Sequence, residues 1–180
     1  MKQYLLPALA LALLTQCRKS TPDPAKPEDQ LPPATQTGAN TFGCLVNSQA
    51  YLPAGRVGLG SNYSVSYDPT FNGGSLAVRT YNITKQRSRY LVLGGSGISK
   101  IGIYSFGSVQ DIGAFYTDDG RSAPCDDYDS NSTNAFSKGT LTITRLDLQA
   151  GIVAGTFSFL LAKPGCDTLR ITQGRFDYKL

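Results

Sequence analysis

Residues 139–161 read GTLTITRLDLQAGIVAGTFSFLL, and their alternation decides the fold. Leu141 and Ile143 share one side of an extended chain while Thr140, Thr142 and Thr144 share the other, as in a strand with one face in a core and one in water. Asp147 to Gly151 turns the chain back. Val153, Phe157, Phe159 and Leu161 then mark the core side of a second strand. A third strand follows, in which Leu169 and Ile171 point inward but Phe176, Tyr178 and Leu180 have the opposite parity. Side chains alternate with period two, so a regular strand cannot turn both sets toward one core. An extra residue near Gln173 and Gly174 repairs the register, and a β-bulge is predicted there.

The same pattern runs back to residue 41. Phe42, Cys44 and Val46 share a face, followed by a turn at Asn47-Ser48 and a short run over 50–52. Tyr63, Val65 and Tyr67 alternate with serines before turn residues at 68–74, then Leu76 and Val78 alternate with Ala77 and Arg79. Tyr90 to Leu93 reads as a strand covered on both faces, with further strands over 102–106 and 112–117. No sustained helical periodicity and no repeat of fixed period appears after Asn40. Ten Tyr, eight Phe, nineteen Gly and ten Pro among 180 residues suit a turn-rich β protein. The expectation is one all-β domain over 41–180, of about eight or nine antiparallel strands, as a β-sandwich or a small barrel.

Residues 1–40 read differently. Met1, Lys2 and Gln3 precede an apolar run from Tyr4 to Leu14, too short to span a bilayer but of signal-peptide length. Leu14-Thr15-Gln16-Cys17 resembles a lipobox, in which a bacterial signal peptidase cuts before a diacylated cysteine. Gln16 departs from the small residue usual before that cysteine. On this reading 1–16 is the leader and Cys17 carries lipid; the alternative is an ordinary leader with Cys17 free or disulfide-bonded. Residues 17–40, with Pro22, Pro24, Pro27, Pro32 and Pro33 among polar residues, are expected to be an extended mobile tether reaching at most about 60 Å. The mature start Cys-Arg-Lys-Ser lacks an acidic residue after the cysteine. By resemblance to the sorting signals of Gram-negative lipoproteins, this implies the outer membrane, facing the periplasm or the cell surface.

Thr41 to Asn47 (TFGCLVN), Gly139 to Asp147 (GTLTITRLD), Gly151 to Phe159 (GIVAGTFSF) and Ile171 to Asp177 (ITQGRFD) together resemble small uncharacterised lipoproteins of Bacteroidota. The resemblance covers roughly a third of the chain. It implies a β domain behind a lipid anchor and carries no catalytic residue, because that family is itself a domain of unknown function.

Function is bounded mostly by exclusion. Histidine is absent, which removes Ser-His-Asp and Cys-His catalysis and His-ligated zinc. The net charge of +4 is scattered, with no dense basic block of the kind nucleic acid requires. If Cys17 is lipidated, Cys44, Cys125 and Cys166 remain. Cys44 lies on an apolar face, whereas Cys125 and Cys166 lie in turn-like loops, so a Cys125–Cys166 disulfide is expected. No cofactor is expected except, as the best specific candidate, calcium at Asp127, Asp129 and Asn131. Their i, i+2, i+4 spacing matches part of a calcium loop that then lacks its Gly and its closing Glu. Tyr63, Tyr67 and Tyr81 are candidates for stacking on a sugar or peptide. The leading expectation is a monomeric, non-enzymatic module held to the membrane by its N-terminal lipid. It binds a protein or glycan through loops at one end of the scaffold. The alternatives are a lipocalin-like carrier of a small apolar ligand and, behind it, a hydrolase using Asp119, Asp126 and Asp127.

Overall fold

The structure is a computed structural model that describes residues 26–56, 58–107 and 112–180. The expected leader, Cys17 and the tether as far as residue 25 lie outside the described residues. Eleven strands are seen among those described: β1 (Thr41–Val46), β2 (Gln49–Tyr51), β3 (Tyr63–Asp68), β4 (Ser75–Ile83), β5 (Ser88–Gly95), β6 (Gly102–Ser105), β7 (Gly113–Asp118), β8 (Asp127–Asp129), β9 (Phe136–Asp147), β10 (Ile152–Ala162) and β11 (Leu169–Lys179). They form two sheets, one of six strands in the order β2-β1-β11-β10-β9-β6 and one of five in the order β3-β4-β5-β7-β8. Every strand pairing is antiparallel. The sheets stay separate, so the fold is a sandwich and not a barrel. The short run expected over 50–52 is the three-residue β2, whereas the three-residue β8 lies inside a stretch whose acidic composition reads as loop.

The alternation seen in the sequence becomes the core. Phe42, Cys44, Leu141, Ile143, Phe157, Phe159, Leu169, Ile171 and Phe176 point inward from the six-stranded sheet. They meet Tyr63, Val65, Leu76, Val78, Leu91, Leu93 and Tyr116 from the other. Phe42 stacks on Phe157 with ring centroids 5.6 Å apart, and Phe106 stacks on Phe159 at 4.6 Å. The run at 90–93 is less enclosed than expected. Leu91 and Leu93 are buried, while Tyr90 and Val92 on the outer face are half-buried.

The predicted bulge is present. In the β10–β11 ladder Phe157 faces Gly174 but Phe159 faces Ile171, and the β1–β11 register breaks opposite the same residues. Gln173 takes the left-handed conformation, with φ 55°, and restores Phe176 and Tyr178 to the core side. A second register break, between Ala154 and Gly155 of β10, leaves Thr144 of β9 without an opposite residue. It lets Leu146 pack against the core, where unbroken alternation from Leu141 and Ile143 would have turned it out.

The tether expectation is revised for residues 26–40, which lie on the domain as a strap across the outer face of the six-stranded sheet. A 3-10 helix, Pro27–Gln30, leads into Leu31, which is 9 % exposed. Pro32 sits over Gly43 of β1, where a Cβ would come within 2.7 Å of the proline ring. The Arg175 guanidinium donates to the Pro32 carbonyl (3.1 Å), and Arg145 donates to that of Gln36 (2.6 Å). The main fastener is Asp177, 1 % exposed. Its carboxylate accepts hydrogen bonds from the Thr35 hydroxyl (2.7 Å) and from the backbone N–H groups of Thr37 (2.9 Å), Gly38 (2.8 Å) and Ala39 (3.1 Å). Composition could not reveal this, because the strap is held by its backbone and by side chains far along the chain.

Candidate functional site

Alternation also places a second set of residues on the outer face of β9, β10 and β11. Thr142 pairs with Thr156 and Thr140 with Ser158; Leu160 lies between Lys138 on one side and Arg170 on the other. Half of this face is closed. Ile152 and Ala154 have the same outward parity as Thr156, yet they are 7 % and 0 % exposed because the strap covers that end. The other half is a groove of ≈ 470 Å³ with Ala34 of the strap in one wall and Thr140, Thr142, Thr156 and Thr172 among its lining. It shares Ser158 and Thr172 with a depression of ≈ 280 Å³ that extends to Lys138, Leu160 and Arg170.

The bulge shapes this groove. A Cβ on Gly174 would lie 2.3 Å from the Phe157 ring on the core side of the sheet, so only glycine lets the bulged backbone pass this close to that ring. Beside it Arg175 is immobilised, donating to the Gln173 backbone carbonyl (3.0 Å) and side-chain Oε1 (3.1 Å) as well as to Pro32. By contrast, the hydroxyls of Thr140, Thr142, Thr156 and Thr172 make no hydrogen bond among the described residues, and Lys138 and Arg170 make no ion pair there. No carboxylate lines either part of the groove. The face therefore offers free donors and acceptors, with positive charge at one end.

The polar loop singled out by composition is differently occupied. Asp127 is ion-paired to Lys163 (2.9 Å), and Asp129 accepts from the backbone N–H of Asn131 (2.8 Å) in its own turn. Among the described residues no three His, Cys, Asp or Glu side chains gather in a metal-holding arrangement. Asp119 is exposed and accepts from the backbone N–H of Ser88 (2.6 Å). Of the three tyrosines, Tyr63 is buried and Tyr67 donates to the Ile98 carbonyl (2.7 Å). Tyr81 lies on the outer face of the five-stranded sheet, stacked on Tyr90 at 4.3 Å.

Asp118 is the acid that sequence reasoning passed over. It is 1 % exposed, receives a two-pronged contact from Arg87, and is approached by Arg121 (3.6 Å) and by the Tyr116 hydroxyl (3.1 Å). Burial raises its carboxyl pKa, but the Arg87 hydrogen bond and charge outweigh that, and the group is held below the usual carboxylate range. The alternating pattern of β7 is the available signal: Ala114, Tyr116 and Asp118 share the inward side. The Cys125–Cys166 disulfide forms as expected and ties this loop to the β10–β11 turn. Cys44 is a fully buried free thiol whose pKa burial pushes well up, against a weaker pull from Arg89 and Arg175. Compared with protein-family models, with curated proteins and with solved structures, the chain matches none.

Proposed function

We propose that the chain is an exported, lipid-anchored protein of the bacterial outer membrane, and that its β-sandwich is a non-enzymatic binding module whose ligand seats in the groove over β9, β10 and β11. The observation that carries this is the contrast in hydrogen bonding. Acids of the loop cluster, Asp118, Asp119, Asp127 and Asp129, hold their own scaffold, while the hydroxyls of Thr140, Thr142, Thr156 and Thr172 and the cations Lys138 and Arg170 have no partner among the described residues; of the groove's other polar groups, Ser158 donates to the Ile171 carbonyl and Arg175 is held by Gln173 and Pro32. The notion of loops at one end as the binding element gives way to a sheet face walled by the strap. The lipocalin-like alternative needs the interior of a closed barrel, whereas the facing surfaces of these two sheets are filled by packed rings and aliphatic side chains. A carboxylate hydrolase needs two acids converging on one cleft, and Asp119 and Asp127 are each tied to a different group.

The lipobox-like Leu14 to Cys17 and the resemblance to small Bacteroidota lipoproteins support the location. With the strap beginning at residue 26, about eight residues separate it from Cys17, a span of at most roughly 30 Å. The binding face would thus be held near the membrane rather than far above it. Intact-mass analysis of the mature protein tests the anchor: a diacylglyceryl mass on an N-terminal Cys17 is expected, and a chain beginning elsewhere removes it. Photo-crosslinking tests the face. A photoreactive residue at Thr156 should capture envelope material that the same probe at Arg79, on the opposite sheet, does not; equal capture from both positions refutes the groove.

A further inference from the structure

We infer that the groove's ligand is an acidic polysaccharide, a deduction that rests on the binding reading above. Lys138 and Arg170 flank Leu160 across two strand spacings, about 9–10 Å. Neither has an ionic partner among the described residues, and no carboxylate lies in the groove to repel an anion. A carboxylate or sulfate group has two docking points there, and Arg170 can engage one with both prongs of its guanidinium. One residue pair further along the strands, Thr140 and Thr172 present hydroxyls beside Ser158, whose own hydroxyl donates to the Ile171 carbonyl (3.3 Å) and keeps its acceptor capacity, followed by Thr142 and Thr156. Hydroxyls donate and accept equally, which suits the ring oxygens and hydroxyls of a sugar chain.

Other anionic polymers fit this surface less well. The backbone groups of β9, β10 and β11 are engaged within the sheet, so an acidic peptide cannot add to it as a strand, and the floor offers few apolar pockets for its side chains. Two free cations neutralise too few phosphates to hold a nucleic acid. The face is concave and hydroxyl-lined, unlike the protruding apolar or polybasic surfaces that settle on a lipid headgroup layer.

The test uses the full mature chain in detergent and measures binding by calorimetry to polygalacturonate, dextran sulfate, neutral dextran, poly-L-glutamate and phosphatidylglycerol vesicles. Binding of at least one acidic glycan is expected, weakened tenfold or more in the Lys138→Ala/Arg170→Ala double variant. Thr140→Val/Thr156→Val should weaken it several-fold while leaving its salt dependence unchanged. Circular dichroism melts of each variant, expected to match the parent, exclude misfolding as the cause. Failure of both acidic glycans to bind overturns the inference, as does equal or tighter binding of poly-L-glutamate or of the vesicles. If neutral dextran binds as well and the double variant retains it, the acidic class falls while the groove stands. If a glycan binds and Thr156→Arg, which fills the groove, changes nothing, the binding reading falls too.

Discussion

Replacing Asp177 with Ala removes the acceptor of two hydroxyls, of Thr35 and, at 3.4 Å, Thr37, and of three backbone N–H groups that fasten the strap. A hydrogen bond to a charged group contributes about 1.5–3 kcal/mol, so five of them taken singly would exceed what a short segment can contribute. The loss is capped, because an unfastened strap swings free and its donors find water. What disappears is the docking free energy, made of the shared carboxylate bonds and the burial of Leu31, the latter about 1.5–3 kcal/mol. We expect Asp177→Ala to cost about 2–4 kcal/mol locally and Asp177→Asn, which keeps one acceptor oxygen, about 1–2 kcal/mol. Hydrogen exchange reads this directly. The amides of Thr37, Gly38 and Ala39 should exchange roughly 30- to 1000-fold faster in the Ala variant, while the β9–β10 ladder is unchanged. The pH dependence has a definite sign. Burial raises the Asp177 carboxyl pKa, but the Thr35 hydroxyl and the three N–H groups outweigh it, so the folded value is lowered. The stabilisation is therefore fully present above the ordinary carboxylate range near 4 and is lost as pH falls through the lowered folded value. Wild-type exchange rates at 37–39 in Asp177→Ala would refute the clamp.

Three further outcomes are expected. Arg87→Ala leaves the buried Asp118 with the more distant Arg121, the Tyr116 hydroxyl and the backbone N–H of Gly120; a loss of about 2–4 kcal/mol in urea unfolding is expected, and a loss under 0.5 kcal/mol would mean that the pair contributes nothing net. The Cys125→Ser/Cys166→Ser variant opens a covalent loop across a separation of 41 residues, and its thermal unfolding should show a loss of about 2–4 kcal/mol with the β-sheet circular dichroism spectrum retained. Cys44 should resist iodoacetamide in the native protein and react fully in denaturant, as read by peptide mass spectrometry; labelling of the native protein at Cys44 would contradict its burial.

Much of the scaffold was legible because a strand writes its burial into every second residue. Leu141 and Ile143 against Thr140 and Thr142, and the parity switch between Ile171 and Phe176, are local facts. They predicted the core face and even the bulge at Gln173. The bulge at Thr144 escaped notice because the TLTIT alternation continues through it, and the parity of Leu146 changes too near the turn to be read. The strand β8 escaped because Tyr128, buried to 1 %, is the lone apolar residue among acids. Of the candidate site, the threonines that line the groove were visible as the wet side of strands. Nothing in their spacing said that a wall stands beside them.

That wall marks the division. Sequence alone determined what depends on neighbours in the chain: extended conformation, the inward and outward sets, the break in register, the absence of histidine chemistry, and a pair of loop cysteines placed to join. Tertiary structure decided what depends on residues far apart. Whether the sheets close, which acid is buried against Arg87, and whether a proline-rich segment floats or docks turn on contacts such as Asp177 with Thr35, 142 residues away. Local pattern carries no record of such a partner, because the energy that fixes the strap exists only once β11 has brought its carboxylate beneath it.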